Sequence, residues 1–214
     1  MKLRAVIFDL DGTLANTLPV CFHAIRTAFR EFTGRTYADA EILDLFGPSE
    51  KGICQRLVPD RWEECYGMVV DQYEKAHHLC TEPAPGIIDM LEMLKGKGVK
   101  LGIITGKGRT TADISLKYTG LAPYFDAIET GSAKGVVKAV AITEMLAKWG
   151  VPKDQAAYIG DSTYDMNAAK EAGVLAIGAT WLDTTDVGEL TTAGATLVFD
   201  DVDDFEGWCM NNVA

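Results

Sequence analysis

Positive charge is scarce in this chain. Its 214 residues carry 20 Lys and Arg against 31 Asp and Glu, a formal charge of −11. Such a balance disfavours nucleic acid or an anionic membrane as the main partner, because polyanions are held by clustered cations. It also repels anionic ligands, so a phosphate site here needs local positive charge, for instance a divalent metal. Cysteine is sparse and unpatterned. Cys21, Cys54, Cys65, Cys80 and Cys209 are odd in number and no two are spaced as CxxC, which removes a zinc knuckle and a disulfide framework. The first residues, MKLRAVIFDLDG, form a short apolar run that stops at two aspartates, neither a signal peptide nor a membrane span. A reduced, cytoplasmic protein is the expectation. Disorder is excluded by a 48% hydrophobic and 24% charged composition. The length fits one domain, or one domain with a modest insert, and suffices to bury roughly 70% of the unfolded surface without disulfide or metal.

Short runs rich in Val, Ile and Leu recur at 2–8, 99–105, 125–130, 156–161, 174–179 and 196–200, and often close on Gly, Asp or Thr. They read as strands buried on both faces. Helical stripes lie between several of them: Ile87, Leu91 and Leu94, then Ile142, Met145, Leu146 and Trp149 ahead of Gly150. Alternation of this kind predicts an α/β fold, a Rossmann-like parallel sheet with helices on both faces. Ligands of such sheets bind outside the carboxyl ends of the strands, so polar residues there are the first candidates. Residues 16–81 break the rhythm. Phe22, Ile25, Phe29 and Phe32 form one helical stripe and Trp62, Tyr66, Val69, Tyr73 and Ala76 another, with no strand pattern between. This predicts a small all-helical domain, 16–81, inserted into a discontinuous α/β core, 1–15 and 82–214. The acidic stretch Asp200, Asp201, Asp203, Asp204 reads as a solvated face.

Four clusters carry chemistry. Asp9-Leu10-Asp11-Gly12-Thr13 follows the first strand, and carboxylates two residues apart on extended backbone point the same way. At such range they repel unless a cation or a proton intervenes. Gly12 permits a tight turn and Thr13 can bond the local backbone. Thr105-Gly106 closes the second core strand as a small anion nest. Lys134 and Lys138 each offer a point charge for a phosphate. Asp161 ends another strand, and Asp165 falls four residues on, in the first turn of the next helix. Carboxylates so placed suit Mg²⁺. Each cluster also has a plainer reading: a turn, a loop, a solvated lysine, an acid favoured by the helix dipole.

Their joint occurrence, in this order, resembles the haloacid dehalogenase superfamily of phosphohydrolases, along essentially the whole chain. DLDGTLANT at 9–17, Thr105 in IITGKGR, the lysine ahead of a helix and GDSTYD at 160–165 correspond to its four motifs. Gly178-Ala179-Thr180-Trp181 looks like a stretch of its phosphoglycolate-phosphatase-like members, and the insert resembles their C1-type cap. The resemblance implies Asp9 as nucleophile and Asp11 as general acid, then base. It implies Mg²⁺ held by the Asp9 carboxylate, the Asp11 main-chain carbonyl and Asp161. Thr105 and the amides of Leu10 and Gly106 would hold the phosphoryl oxygens. Lys138 would add positive charge, and Asp165 would orient Lys138 or a metal-bound water. Lys138 is preferred to Lys134 because it stands immediately ahead of its helix, although Ala139 replaces the proline that some members carry next.

The expected activity is a Mg²⁺-dependent phosphatase for a small phosphorylated metabolite, phosphoglycolate phosphatase-like, as a monomer or weak homodimer. A β-phosphoglucomutase-type mutase or a pyrophosphatase on the same core is the alternative. Dehalogenation is disfavoured because it needs neither Asp11 nor a metal. A phospho-acceptor receiver module runs to about 120 residues without a helical insert, which counts against that reading. An inactive binding protein remains the non-enzymatic option. Substrate choice is assigned to the insert. Its Phe46–Gly52 loop is expected to reach the site, with Lys51 or Arg56 as possible contacts for a second anionic group. A Schiff-base role for Lys51, as in phosphonate-cleaving relatives, finds no support in its neighbours. His23, His77 and His78 read as surface or packing residues.

Overall fold

The computed structural model describes residues 2–135, 137–182 and 184–213; Val136, in the stretch that carries Lys134 and Lys138, lies outside them. In chain order the elements are β1 (Ala5–Phe8), α1 (Leu18–Thr33), α2 (Asp39–Leu43), α3 (Glu50–Leu57), α4 (Trp62–Ala76), α5 (Ile87–Gly96), β2 (Lys100–Gly108) and α6 (Arg109–Thr119). There follow β3 (Ala127–Gly131), α7 (Lys138–Trp149), β4 (Ala156–Gly160), α8 (Thr163–Ala172), β5 (Leu175–Ala179), α9 (Val187–Ala193), β6 (Leu197–Phe199) and α10 (Val202–Asn212). The strands form one parallel sheet in the order β3-β2-β1-β4-β5-β6. The order reverses at β1, so the crevice for a ligand lies outside the carboxyl ends of β1 and β4.

Alternation along β1 divides the core. Val6 and Phe8 face one layer with α5 and α10; Ala5 and Ile7 face the other with α7 and α8. Both faces are covered, which is why these strands read as unbroken apolar runs. At Gly102 a side chain would run into Met145 and Trp149 of α7, so this glycine lets helix and sheet meet closely. The second strand departs from expectation. It continues past Thr105 to Gly108 through a register shift against β3, where β3 at Gly131 passes so close to the Gly106 carbonyl that a Cβ has no room. The acidic stretch near the C-terminus is solvated as expected, but Asp201 also caps α10, its carboxylate accepting from the Asp203 amide at 2.7 Å.

Residues between 16 and 81 contain helices and no strand among the described residues. α1 and α4 pair through Ile25, Phe29, Val69 and Tyr73, and these belong to an apolar cluster separate from both core layers. Ala15 and Ile114 are the points where that cluster touches the sheet domain's side. His77 is packed inside, its ring nitrogens bonded to Cys80 O and Ser115 Oγ, whereas His23 and His78 are exposed.

Beneath the crevice Phe205 is fully buried among aromatic rings. Phe199, Trp181 and Trp208 lie at centroid distances of 5.3, 5.8 and 6.2 Å, and Phe8 meets it edge-on at 6.5 Å. Phe205→Ala should therefore cost about 3–5 kcal/mol. In thermal unfolding this corresponds to a fall in Tm of roughly 6–20 °C. A urea titration showing a loss below about 1 kcal/mol would mean that α10 is not docked as described.

Candidate active site

β1 ends at Phe8, and the Asp9 amide still bonds across to Ile159 O of β4 at 2.8 Å, so Asp9 is held at the crevice. The chain then turns sharply, with Gly12 N on Ala15 O and Leu14 N on Leu10 O, both at 3.0 Å. Gly12 has φ of 74°, and a Cβ there would fall inside the Asp161 carboxylate. The Thr13 side chain does not bond the local backbone as the sequence suggests. Its hydroxyl donates to Asp161 Oδ1 at 3.1 Å, because β1 and β4 are neighbours and the turn projects over the end of β4. Trp181 Nε1 pins the same turn through Thr13 O at 2.8 Å.

Asp165 is entirely buried at the start of α8. Ser162 and Asp165 form a reciprocal capping box, which fixes the carboxylate before any ligand arrives. Its Oδ1 accepts from Lys138 Nζ at 2.7 Å and from the Tyr158 hydroxyl at 3.1 Å. Oδ2 accepts from Ser162 N at 3.1 Å and from the Ser162 hydroxyl. With these four donors its acceptor capacity is spent, so Asp165 is set to orient Lys138. Lys138, the first residue of α7, is buried and also donates to Asp9 Oδ2 at 2.7 Å, while Leu10 N donates to Oδ1 at 2.7 Å. Lys134 lies on an exposed turn.

Asp11 accepts from the Thr17 hydroxyl and pairs with Lys107 Nζ at 3.1 Å. Lys107 and Glu50 are the site residues that the sequence reading did not single out. Lys107 is buried, 3.7 Å from Glu50 Oε1, 3.1 Å from Cys21 Sγ and over the Tyr73 ring at 4.5 Å. Glu50 is a buried acid on the insert that reaches the core, accepting from Gly108 N at 2.8 Å and Thr111 Oγ1 at 2.7 Å. The signal for Lys107 was its place between two glycines just after the Thr105 nest; Glu50 lay inside the loop expected to approach. Thr105 is buried, and its hydroxyl accepts from the Lys107 amide at 3.2 Å. Gly106 and Lys107, not Thr105, line the open space.

Burial drives the electrostatics. It pushes the Asp9 carboxyl up to about 7, against the pull of Lys138, with Asp165, Asp11 and Asp161 adding repulsion. Burial, then Asp165, raises Asp161 to about 6, opposed by Thr184, Lys138 and Thr13. Burial alone would lower Lys138 and Lys107, yet each is held above the usual lysine range, Lys138 by Asp165 and Asp9, Lys107 by Asp11 above all. Carboxylate oxygens of Asp9, Asp161 and Asp165 lie within 4.8 Å of one another. A hard oxygen set with this uncompensated negative charge fits Mg²⁺. Asp9 and Asp161 have acceptor capacity to spare for it; Asp165 does not.

A cavity of about 500 Å³ opens from these groups toward the insert. Phe46, Gly47, Pro48, Ser49 and Glu50 of the expected loop line it. The loop is seated by Ser49 N on Ser132 O at 2.9 Å, and at Gly52 a side chain would strike the Ala133 carbonyl. Lys51 and Arg56 are not brought to the cavity. Lys51 Nζ lies 5.0 Å over the Trp62 ring and Arg56 donates to Leu45 O at 3.2 Å, because their faces of α3 turn toward the outside of the insert.

A paired-aspartate turn beside a buried Lys–Asp couple, at the switch point of this sheet, defines a phosphohydrolase-type centre. The family model of haloacid dehalogenase-like hydrolases matches residues 6–179, and the chain belongs to that family. It is 31% identical over 183 residues to pyrophosphatase PpaX of Bacillus pumilus, covering 84% of each chain. It is 26% identical over 180 residues to the phosphoglycolate phosphatase of Synechococcus elongatus, again with 84% of each covered. A solved structure of a hydrolase from Pseudomonas syringae superposes with a TM-score of 0.81 at 27% identity, covering 99% of this chain and all of that one. The protein is a phosphatase of this family, and no helix among the described residues is long and apolar enough to cross a membrane.

The raised carboxyls have a thermodynamic consequence. The native state keeps protons on Asp9 and Asp161 that the unfolded chain releases near pH 3.8, so this contribution to stability is lost as pH rises through about 6 to 7. In EDTA the Tm should therefore fall between pH 5 and pH 8. Mg²⁺ at about 100 times its Kd should restore about 2.7 kcal/mol at the upper end. That is an upward shift of roughly 5–10 °C, and it should be much smaller at pH 5. Differential scanning fluorimetry of wild type, Asp161→Asn and Gly12→Ala tests this. An undiminished shift in both variants would place the metal elsewhere.

Proposed function

We propose that this protein is a Mg²⁺-dependent phosphatase that hydrolyses a small-metabolite phosphate monoester through an aspartyl-phosphate on Asp9. The observation that carries the reading is the Lys138 ammonium lodged between the Asp9 and Asp165 carboxylates, at 2.7 Å from each, at the sheet end of the cavity. An ammonium so placed aims one Asp9 oxygen and leaves positive charge beside the phosphorus it attacks. The likeness to phosphoglycolate phosphatase and pyrophosphatase PpaX supports the reaction class.

In the first step an Asp9 oxygen attacks phosphorus and the bond from phosphorus to the leaving oxygen breaks. Asp11, entering as the acid, gives that oxygen its proton, and the Thr17 hydroxyl and Lys107 hold the carboxyl in place for it. The product is an Asp9 acyl phosphate and a free alcohol. Asp11, now a carboxylate, takes a proton from water, which attacks phosphorus. The bond to Asp9 breaks and phosphate leaves. The Gly106 amide and the Lys138 ammonium are the donors for the phosphoryl oxygens, joined by the Leu10 amide once it leaves Asp9 Oδ1, with the buried Thr105 hydroxyl shaping that loop through the Lys107 amide. The Asp9 carboxylate, the Asp11 main-chain carbonyl and Asp161 would hold Mg²⁺, which would supply positive charge to offset that of the phosphoryl group among the surrounding acids. Residues 16–81 act as the cap over a core of 1–15 and 82–214, and the reducing cytoplasm suits five buried thiols.

Phosphate release from 2-phosphoglycolate, hexose phosphates, nucleotides, pyrophosphate and p-nitrophenyl phosphate, with Mg²⁺ or EDTA, tests the reading. Turnover should require the metal and vanish in Asp9→Asn, while Asp11→Asn should lower kcat by about 10²–10⁴. Activity that survives EDTA or Asp9→Asn would remove Asp9 as the nucleophile.

A further inference from the structure

The cavity has two unlike ends. At the sheet it presents Asp9, Asp11, Asp161, Lys107 and Lys138. Toward the insert it is walled by Leu18, Ile25, Leu43, Phe46, Ile53 and Val69. Lys107 and Lys138 are the cations among its described lining residues, and both are engaged: Lys138 with Asp9 and Asp165, Lys107 with Asp11 and Glu50. The charged group that the insert itself contributes is an acid, Glu50. A carboxylate or second phosphate on the leaving group would thus enter an apolar wall beside a buried glutamate with no cation to receive it, a costly placement. The volume of about 500 Å³ lies in the range of small-ligand pockets. Leu43 and Phe46, 46% and 40% exposed, stand at the rim as large apolar side chains that a bound apolar group would cover.

Resting on the phosphatase reading, we infer that the substrate is the phosphate monoester of an uncharged, largely apolar alcohol or phenol, and not pyrophosphate or the phosphate of a small carboxylic acid. The core end takes the phosphoryl group. The insert end selects the leaving group by burying its hydrocarbon, with Leu43, Phe46 and Ile53 as the residues that determine specificity.

n-Alkyl phosphates from ethyl to hexyl test this at nearly constant leaving-group chemistry. With Mg²⁺, kcat/KM should rise about two- to fourfold per added methylene until the wall is filled. Hexyl phosphate should exceed 2-phosphoglycolate and pyrophosphate by about tenfold or more. Binding gives a readout independent of turnover: hexylphosphonate should compete more tightly than phosphonoacetate or methylenediphosphonate. Leu43→Lys and Phe46→Lys, at exposed rim positions, should narrow the gap in favour of 2-phosphoglycolate by about tenfold. A flat chain-length series, or a preference for 2-phosphoglycolate or pyrophosphate with turnover still lost in Asp9→Asn, overturns this inference alone. If no ester of either series is hydrolysed, the phosphatase reading fails and takes this one with it.

Discussion

Asp9, Asp11, Asp161 and Asp165 converge at the carboxyl ends of two adjacent strands, three of them almost wholly out of water, and their mutual repulsion is the constraint that shapes the rest of the molecule. Buried carboxylates survive only with partners. Lys138 stands between two of them, and Lys107 faces a third. Both lysines are themselves buried, so each sign of charge is tolerable only because the other is present. The remaining mismatch, still net negative, is what a divalent cation can relieve. Such a centre trades stability for a preorganised field at the end of the cavity.

Much of the local structure exists to hold that arrangement. The capping box of α8 freezes Asp165, the first residue of α7 is the bridging lysine, and a positive-φ glycine leaves room for Asp161. The aromatic group around Phe205 supports the turn from beneath, through Trp181 and its bond to Thr13 O. The helical insert is built on another principle. It has its own apolar cluster and sends one acid, Glu50, across to the core, where it ties the amide of Gly108 and the hydroxyl of Thr111. Lys107, between Glu50 and Asp11, is the point where the insert and the aspartate turn share a charge.

The sheet was readable along the chain because its inner strands β2, β1, β4 and β5 are buried on both faces, which leaves a continuous apolar signature, while the edge strands β3 and β6 are only half-buried. The limits were local. β2 runs to Gly108, but Gly106 and Gly108 read as loop punctuation, and only the close passage of β3 shows that glycine is needed inside the ladder. The aspartates stood out as candidates because turns after buried strands are where this architecture exposes chemistry. Lys51 and Arg56 drew notice as insert cations near the right loop. Helical phase turns them outward, onto Trp62 and Leu45 O, while their neighbour Glu50 goes in. A one-residue difference in phase decides this, and a short helix with few apolar residues does not announce its inward face.

By itself, then, the sequence determined the α/β alternation, the helical interruption and the set of acids at strand ends, because these follow from periodicity and turn chemistry along neighbouring residues. Only the tertiary structure decided which lysine meets Asp9, that Thr13 serves Asp161, that Lys107 and Glu50 belong to the site, and that the far wall of the cavity is hydrocarbon. Those outcomes depend on contacts between segments remote in the chain, brought together by the strand order and the seating of the insert, and no local pattern encodes them.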